Sequence, residues 1–427
     1  MGALINVLVV GGGGREHALV WKIDQSPMVR KIYCAPGNAG TLEFAENVDI
    51  GAEDVEKFLN FAKSNDIGLT VVGPEAALCE GIVDAFSEAG LKAFGPDKKA
   101  ALLEGSKAFM KRMLKSAGIP TAKYEKLNDR DSALKALEKF NGKVAVKADG
   151  LAAGKGVVIC QSTDEAVEAI DLMMVKRAFG AAGDSIIIEE LLEGQEASML
   201  AFCDGENFTM MPSSQDHKRI GDGDTGPNTG GMGAYSPACV VTPQIESMVE
   251  KDVMAKIMAA MKKDGRPYKG ILYAGLMLTD DGPKVLEFNC RFGDPECQPI
   301  LMRLESDIVP LLLASVDGNL KDVTAKWSSR STVCVVMASG GYPGPYEKGK
   351  EIHGLKEAAL VNNVVVFHAG TTLDNDRVLT SGGRVLGVTA SGSTVGEAID
   401  TAYEAVSKIS WDGAVYRKDI GHRAIGR

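Results

Sequence analysis

From Leu4 to Phe94 short apolar, β-branched runs alternate with stretches of helical period, and no other feature restricts the fold of this chain as tightly. Leu4 to Val10, Lys31 to Ala35, Leu69 to Val72 and Lys92 to Phe94 read as strands, and Glu16 to Gln25, Val55 to Ser64 and Gly81 to Ala89 as helices. Such alternation predicts an α/β unit, Rossmann-like, with a parallel sheet and helices on its faces. Ligands of these sheets bind beyond the C-terminal strand ends. The turns at Gly11 to Gly14, Pro36-Gly37-Asn38 and Gly73-Pro74-Glu75 should therefore rim one crevice. In the first turn a dinucleotide fingerprint fails, because Glu16 and His17 stand where its third glycine belongs. A sugar monophosphate at the helix N-terminus, a nicotinamide or flavin cofactor, and a purely structural turn all remain open here.

This first unit ends near residue 104. Ser106 to Ala117 reads as a basic amphipathic helix closed by Gly118 and Pro120. Residues 121–190 make a small α/β unit with a helix from about Thr163 to Phe179. Strands, a long polar loop from Ser213 to Gly233 and a helix from about Pro243 to Lys263 follow. Beyond Trp327, the runs VCVVMAS, VVVFHAG and RVLGVTA and a helix at 394–409 predict a separate strand-rich domain. The expected division is 1–104, 105–325 with a lid at 121–190, and 326–427.

The lid carries VKADGLAAGKGVVIC, residues 146–160. A P-loop needs four residues between its glycines and a hydroxyl after the lysine. Gly150 and Gly154 have only three residues between them, and Gly156 follows Lys155. Val144 to Val146 and Val157 to Ile159 are strand-like, so the stretch predicts a hairpin whose glycine-rich tip either folds over phosphates or is a plain surface turn. The strand KVLEFNCRFGDPE is chemically sharper. Alternation puts Glu287 and Asn289 on one face, with Leu286 and Phe288 towards a core, and a carboxylate beside an amide oxygen suits Mg²⁺. Arg291, next on that face, suits a carboxylate or phosphate, and Asp294 and Glu296 suit an amine. Lys107 and Lys147 supply point charges for phosphate oxygens. In IIIEELLEGQEAS an apolar strand ends in Glu189 and Glu190. Backbone groups of Glu190 and Leu192 are placed for an adenine edge, and Glu196 for ribose hydroxyls.

With 427 residues, 45% hydrophobic and 24% charged, the chain suits a multi-domain globular protein. A net charge of −10 gives no global footprint for nucleic acid or a membrane surface. The start lacks a basic n-region and turns to glycine after a short apolar run, so it reads as a first strand, not a signal peptide; Asn6 breaks a myristoylation pattern. No apolar run approaches the roughly 18 to 20 residues that span a bilayer. Eight scattered cysteines without a CxxC pair read as reduced thiols of a cytoplasmic protein.

Strand lysine, glycine flap, EE-x-L with a later Glu, and a terminal Glu-x-Asn together resemble the ATP-grasp superfamily. Within it, GGREHAL, VVGPEA, EGSKAFMK, SQDHKRIGDGDTGPNTGGMGAYSP, LEFNCRFGDPE, GGYPGPYEKG and WDGAVYRKDIG make essentially the whole chain similar to the phosphoribosylamine-glycine ligase family. The resemblance implies an ATP-grasp fold and the ligation of glycine to 5-phosphoribosylamine through glycyl phosphate. ATP and Mg²⁺, or Mn²⁺ in its place, would be required. It implies nucleotide contacts from Lys107, Lys147, Gly154, Lys155, Gly156, Glu189, Glu190, Leu192 and Glu196, and metal ligation by Glu287 and Asn289. Asp216, His217, Lys218 and Arg219 would border glycine and the γ-phosphate, with Arg291 and Asp294 placing the acceptor. Gly13, Gly14, Glu16 and Glu75 would hold the ribose phosphate and its hydroxyls, helped by Lys348 and Arg384 from the C-terminal domain. The expected protein acts on small molecules, binds neither nucleic acid nor membrane, and is a monomer or weak homodimer. Two departures stand out: Gly12 replaces an Asn common in the family, and Gly275 occupies a strand position where other ATP-grasp families place a third metal carboxylate. A biotin carboxylase-like enzyme or another purine ligase would lack the SQDHKRIGD and DTGPNTGGMGAYSP stretches. A non-catalytic nucleotide sensor would lack an intact Glu-x-Asn pair.

Overall fold

The structure, a computed structural model, describes residues 4–140, 142–151 and 156–426. Five parallel strands form the N-terminal sheet in the spatial order Glu46–Asn47, Val29–Pro36, Ile5–Gly11, Ile67–Val72, Ala93–Phe94. Central Ile5–Gly11 is apolar along nearly its whole length because both faces are covered. Leu8 and Val10 enter one core with Phe58 and Phe86, while Val7 and Val9 enter another with Leu19 and Ile23. The helix expected over 81–89 forms over Ile82–Glu88, and a further short helix, Glu75–Glu80, precedes it, the two parted where Gly81 takes φ 92°.

The lid is an antiparallel sheet in the order Tyr124–Leu127, Ile186–Glu190, Val144–Ala148, Val157–Cys160. Its last two strands form the expected hairpin, with Val146 opposite Val158. Its helix is α-helical only over Thr163–Ile170, continues as a π-helical turn through Asp171–Val175, and is stopped before Phe179 where Arg177 takes φ 50°. Leu127, Val144, Val146, Ile170, Ile186 and Ile188 form a core of the lid's own. By contrast, Phe208–Met210, Gln195–Asp204, Lys269–Thr279 and Gly282–Asn289 make an antiparallel sheet that shares a core with the N-terminal sheet. Met199, Ala274 and Phe288 meet Leu8 and Val10 there, with Met110 and Met113 of helix Lys107–Ala117.

The strand-rich third sheet runs Gln215–Asp216, Gly233–Ser236, Ser331–Ser339, Arg384–Gly392, Val364–His368. One of its strands, Gln215–Asp216, thus comes from the segment expected to be a long polar loop, Gly233–Ser236 begins at that segment's last residue, and the segment also holds the ribbon Arg219–Gly221 with Thr225–Asn228. The sequence hid them because strands this short carry no readable alternation. All eight cysteines are free and six are buried. Among the described residues no helix is long and apolar enough to cross a membrane.

Candidate active site

The three turns of the N-terminal sheet meet as expected. Gly37 donates its N–H to Gly11 O (3.1 Å), Gly73 donates to Val10 O (3.1 Å), and Asn38 Nδ2 reaches Gly12 O (3.0 Å). Glu16, expected with the ribose phosphate and its hydroxyls, is buried, its Oε2 accepts from Gly13 N–H (2.6 Å), and its Oε1 accepts from Arg15 Nε (2.5 Å). A first-turn carboxylate is well placed to cap its own helix, and it occupies the Gly13 donor an anion would use. A Cβ on Gly12 would lie 2.5 Å from Gly37 O, so an Asn at that position would require the second turn to shift.

Strand Gly282–Asn289 delivers Glu287 and Asn289 by a route that alternation did not reveal. Gly275 pairs with Glu287 but Leu276 pairs with Val285, leaving Leu286 as an extra residue in a bulge. Val285 and Phe288 are buried, and Leu286 is only half-buried, which corrects the expectation that it points into the core. Two core residues three apart cannot both face inward on a regular strand. Burial would raise the Glu287 carboxyl, but Lys218, Lys147, Lys107 and Arg291 hold it below the usual carboxylate range. A Cβ on Gly275 would stand 3.1 Å from Glu287 Cγ, so a side chain at this strand position would require Glu287 to give way by a few tenths of an ångström. Among the described residues no group of three His, Cys, Asp or Glu side chains converges. One carboxylate and one amide oxygen in a cationic ring form no closed cage. They fit a hard cation that takes its other ligands from phosphate and water.

The ring of lysines comes from three elements. Lys107 opens a helix capped by Ser106, and its Nζ donates to Gly150 O (3.1 Å) at the stem of the glycine loop. Asp149 ties that stem to the same helix, accepting from Ser106 Oγ (3.0 Å) and Ala108 N (3.1 Å). Burial lowers the Lys107 ammonium. Lys147 Nζ lies 2.9 Å from Glu189 Oε2, and Lys111 Nζ lies 3.0 Å from Glu189 Oε1. Glu189, expected on the nucleotide, is closed off between two ammonium groups. Lys111 was absent from the sequence reading, although its spacing of four from Lys107 on one helix is a usable signal.

Glu190 Oε1 accepts from Lys123 N (2.9 Å), and its own N–H donates to Lys123 O (3.0 Å), so the lid sheet already holds that donor. Leu192 N–H has no such partner among the described residues. Gly154 and Lys155 lie outside the described residues, whereas Gly156 O accepts from Ala148 N (2.9 Å). Glu196 pairs with Lys218 at 2.5 Å. Asp216 is buried beside them, and burial, with Glu296, Glu196 and Glu287, pushes its carboxyl up to about 7 against the pull of Lys218.

A second group surrounds the first glycine turn. Cβ atoms on Gly13 and Gly14 would lie 3.4 and 3.5 Å from the Asp294 carboxylate. Arg384 Nη2 is 3.4 Å from Asp294 Oδ2, and its Nη1 donates to Asp294 O and Gly230 O. Arg291 links the two groups, donating to Glu75 Oε2 (3.1 Å) and Glu104 Oε1 (2.9 Å). Glu75 is therefore brought in as an ion-pair partner, and buried Glu104 and Arg15 join without having been singled out in the sequence. Lys348 is not brought in: it is exposed and bonds to no site residue among the described interactions.

A lid with its own core closing over lysines, with a Glu-x-Asn pair on the strand below, defines an ATP-grasp protein. Biotin carboxylase from Campylobacter jejuni has the same fold, with a TM-score of 0.77 at 14% identity, covering 97% of this chain and 93% of that one. The chain belongs to the phosphoribosylglycinamide synthetase family, matching its N domain over residues 5–104, its ATP-grasp (A) domain over 105–297 and its C domain over 332–423. Phosphoribosylamine–glycine ligases from Rhodopirellula baltica and Yersinia pestis are 53% and 54% identical, covering 98% of both chains in the first case and 99% and 100% in the second. The crystal structure of the Thermotoga maritima phosphoribosylamine–glycine ligase is 35% identical with a TM-score of 0.86, covering 97% of this chain and all of that one.

Proposed function

We propose that this chain ligates glycine to 5-phosphoribosylamine at the expense of ATP, giving glycinamide ribonucleotide, ADP and phosphate. The observation that carries the reading is the position of Glu287: an ionised carboxylate among Lys107, Lys147, Lys218 and Arg291, with Asn289 beside it and the lid hairpin rooted at Lys147. A glycine carboxylate has no good leaving group, so its oxygen first attacks the γ-phosphate of ATP, and glycyl phosphate and ADP result. The free amine of phosphoribosylamine then attacks the acyl carbon, phosphate leaves, and a proton is lost from nitrogen. No protein nucleophile takes part.

Charge spreads over the transferring phosphoryl oxygens, and Lys107 and Lys147 neutralise it from fixed positions. Glu287 and Asn289 would hold Mg²⁺, or Mn²⁺ in its place, which would supply charge neutralisation on the phosphates. Glu189 acts at one remove, setting Lys147 and Lys111. Leu192 N–H and the Glu190 carbonyl receive the adenine edge, Glu196 the ribose, and Gly154, Lys155 and Gly156 the phosphates. Asp216 and Lys218 border glycine, while Gly13, Gly14, Glu75, Asp294 and Arg384 place the phosphoribosylamine. Lid closure excludes the water that would hydrolyse the acyl phosphate. The division into 1–104, 105–325 and 326–427, a cytoplasmic location, a monomeric or weakly dimeric state and the lack of any nucleic-acid partner belong to the same proposal.

The test is ADP and phosphate release with ATP and Mg²⁺, with glycine or phosphoribosylamine omitted singly, in the parent and in Glu287→Ala. Release should need both substrates and fall in the variant on the order of 10²-fold or more. Release indifferent to glycine would overturn the substrate, and an active variant would overturn the metal site.

A further inference from the structure

Asp216 and Lys218 lie at the start of a segment whose tip, residues 222–228, is exposed and contributes nothing to any core. What holds that tip is the C-terminal tail. Arg417 has a side-chain exposure of 0% and forks onto Asp419, with Nε and Nη2 each 2.8 Å from a carboxylate oxygen. Its Nη1 reaches Asp224 Oδ1 (2.9 Å) and Arg219 O (3.2 Å). Asp419 Oδ2 accepts from Gly223 N (2.8 Å), and Lys418 N donates to Asp222 Oδ1 (2.7 Å). Arg423 donates to Asp224 Oδ2 (2.5 Å) and to Asp216 O (3.3 Å), and Gly421 N reaches His217 Nε2 (3.3 Å). The tail is anchored in turn on helix Val395–Val406, where Tyr403 Oη donates to Arg417 O (2.7 Å) and accepts from Ile420 N (3.0 Å).

We propose that Arg417, Asp419 and Arg423 are positioning residues: the tail at 415–424 clamps the segment on both sides of Lys218 and so sets where Asp216 and Lys218 meet the reacting groups. The physical argument is the pattern of bonds. Every one of these loop contacts falls between residues 216 and 224. Arg417 is a buried, charge-assisted fork that bridges two partly exposed carboxylates which would otherwise repel. The exposed tip has little apolar burial of its own, so without the clamp the segment loses its order.

The proposal rests on Asp216 and Lys218 being at the reaction centre, and the test separates the two. Arg423→Met, Asp419→Asn, Lys218→Met and the double variant Arg423→Met/Lys218→Met are compared by kcat, by KM for ATP and for glycine, and by Tm. Arg423→Met and Asp419→Asn should lower kcat at least about tenfold, since a displacement of about 1 Å suffices for that. KM for ATP should stay within about twofold, because the proposed nucleotide contacts lie on other elements. In the Lys218→Met background, whose residual rate is read at high enzyme concentration, Arg423→Met should cost less than about twofold more. Full additivity, a parallel rise in KM for ATP, or kcat within twofold of the parent would each overturn the clamp. If Arg423→Met does not fold, Arg423→Gln, which keeps a donor for Asp216 O, carries the same comparison. A fully active Lys218→Met would instead overturn the assignment of the site.

Discussion

At the residue scale the site is a set of charges kept apart from water. Asp216 shows the balance: burial outweighs the attraction of Lys218 and pushes the carboxyl up to about 7, above the ordinary value of 3.8 that it keeps in the unfolded chain. Between those values the native state binds the proton more tightly. Its contribution to stability is therefore greatest at acid pH and falls as pH rises towards 7. Asp216→Asn removes that dependence. In the ligand-free protein the Tm difference, variant minus parent, should grow between pH 5 and pH 8 and level off above; a difference that stays flat or shrinks would contradict a raised carboxyl. The sequence made Glu287, Asn289, Lys107 and Lys147 legible because their spacing has chemical meaning. It left Glu104, Arg15 and the sharing of Glu189 illegible, because those pairings join residues on separate elements.

Among the elements, strand Gly282–Asn289 carries the clearest structural lesson. Its bulge keeps Val285 and Phe288 in the core and still turns Glu287 and Asn289 out. Leu286, the larger side chain, is half-buried, whereas Val285 is completely buried. Val285→Ala should thus cost more than Leu286→Ala, by about 1 kcal/mol in urea unfolding, reversing the order expected from side-chain size. Equal costs, or the opposite order, would mean that the strand alternates regularly. In the lid, Glu189 and Lys147 are diagonal neighbours on paired strands, with Ala145 opposite Glu189 and Lys147 opposite Ile187. Pattern reading found both strands and the hairpin; it could not tell that the acid at the strand end would pair with two lysines.

For the whole molecule, the decisive feature is that strand Gly233–Ser236 lies between Gln215–Asp216 and Ser331–Ser339. The third sheet is completed by chain from the middle of the sequence, and Met232 and Tyr235 sit in its core. A fragment of residues 326–427 lacks them and exposes the edge of Ser331–Ser339. It should show no cooperative thermal transition, while the full chain does; a sharp melt with dispersed NMR amide signals would refute this. The sequence alone determined the N-terminal parallel sheet, the lid hairpin and the family to which the chain belongs, because periodicity, glycine placement and motif spacing are local properties. Only the tertiary structure decided which carboxylates are ion-pair partners, that Glu16 caps its own helix, and that the C-terminal tail grips the segment bearing Asp216 and Lys218. The ion pairs and the tail's grip depend on contacts between residues up to about two hundred positions apart, such as Arg423 with Asp216 at a separation of 207, and no local pattern records them; the Glu16 cap is local, but the folded turn had to select it.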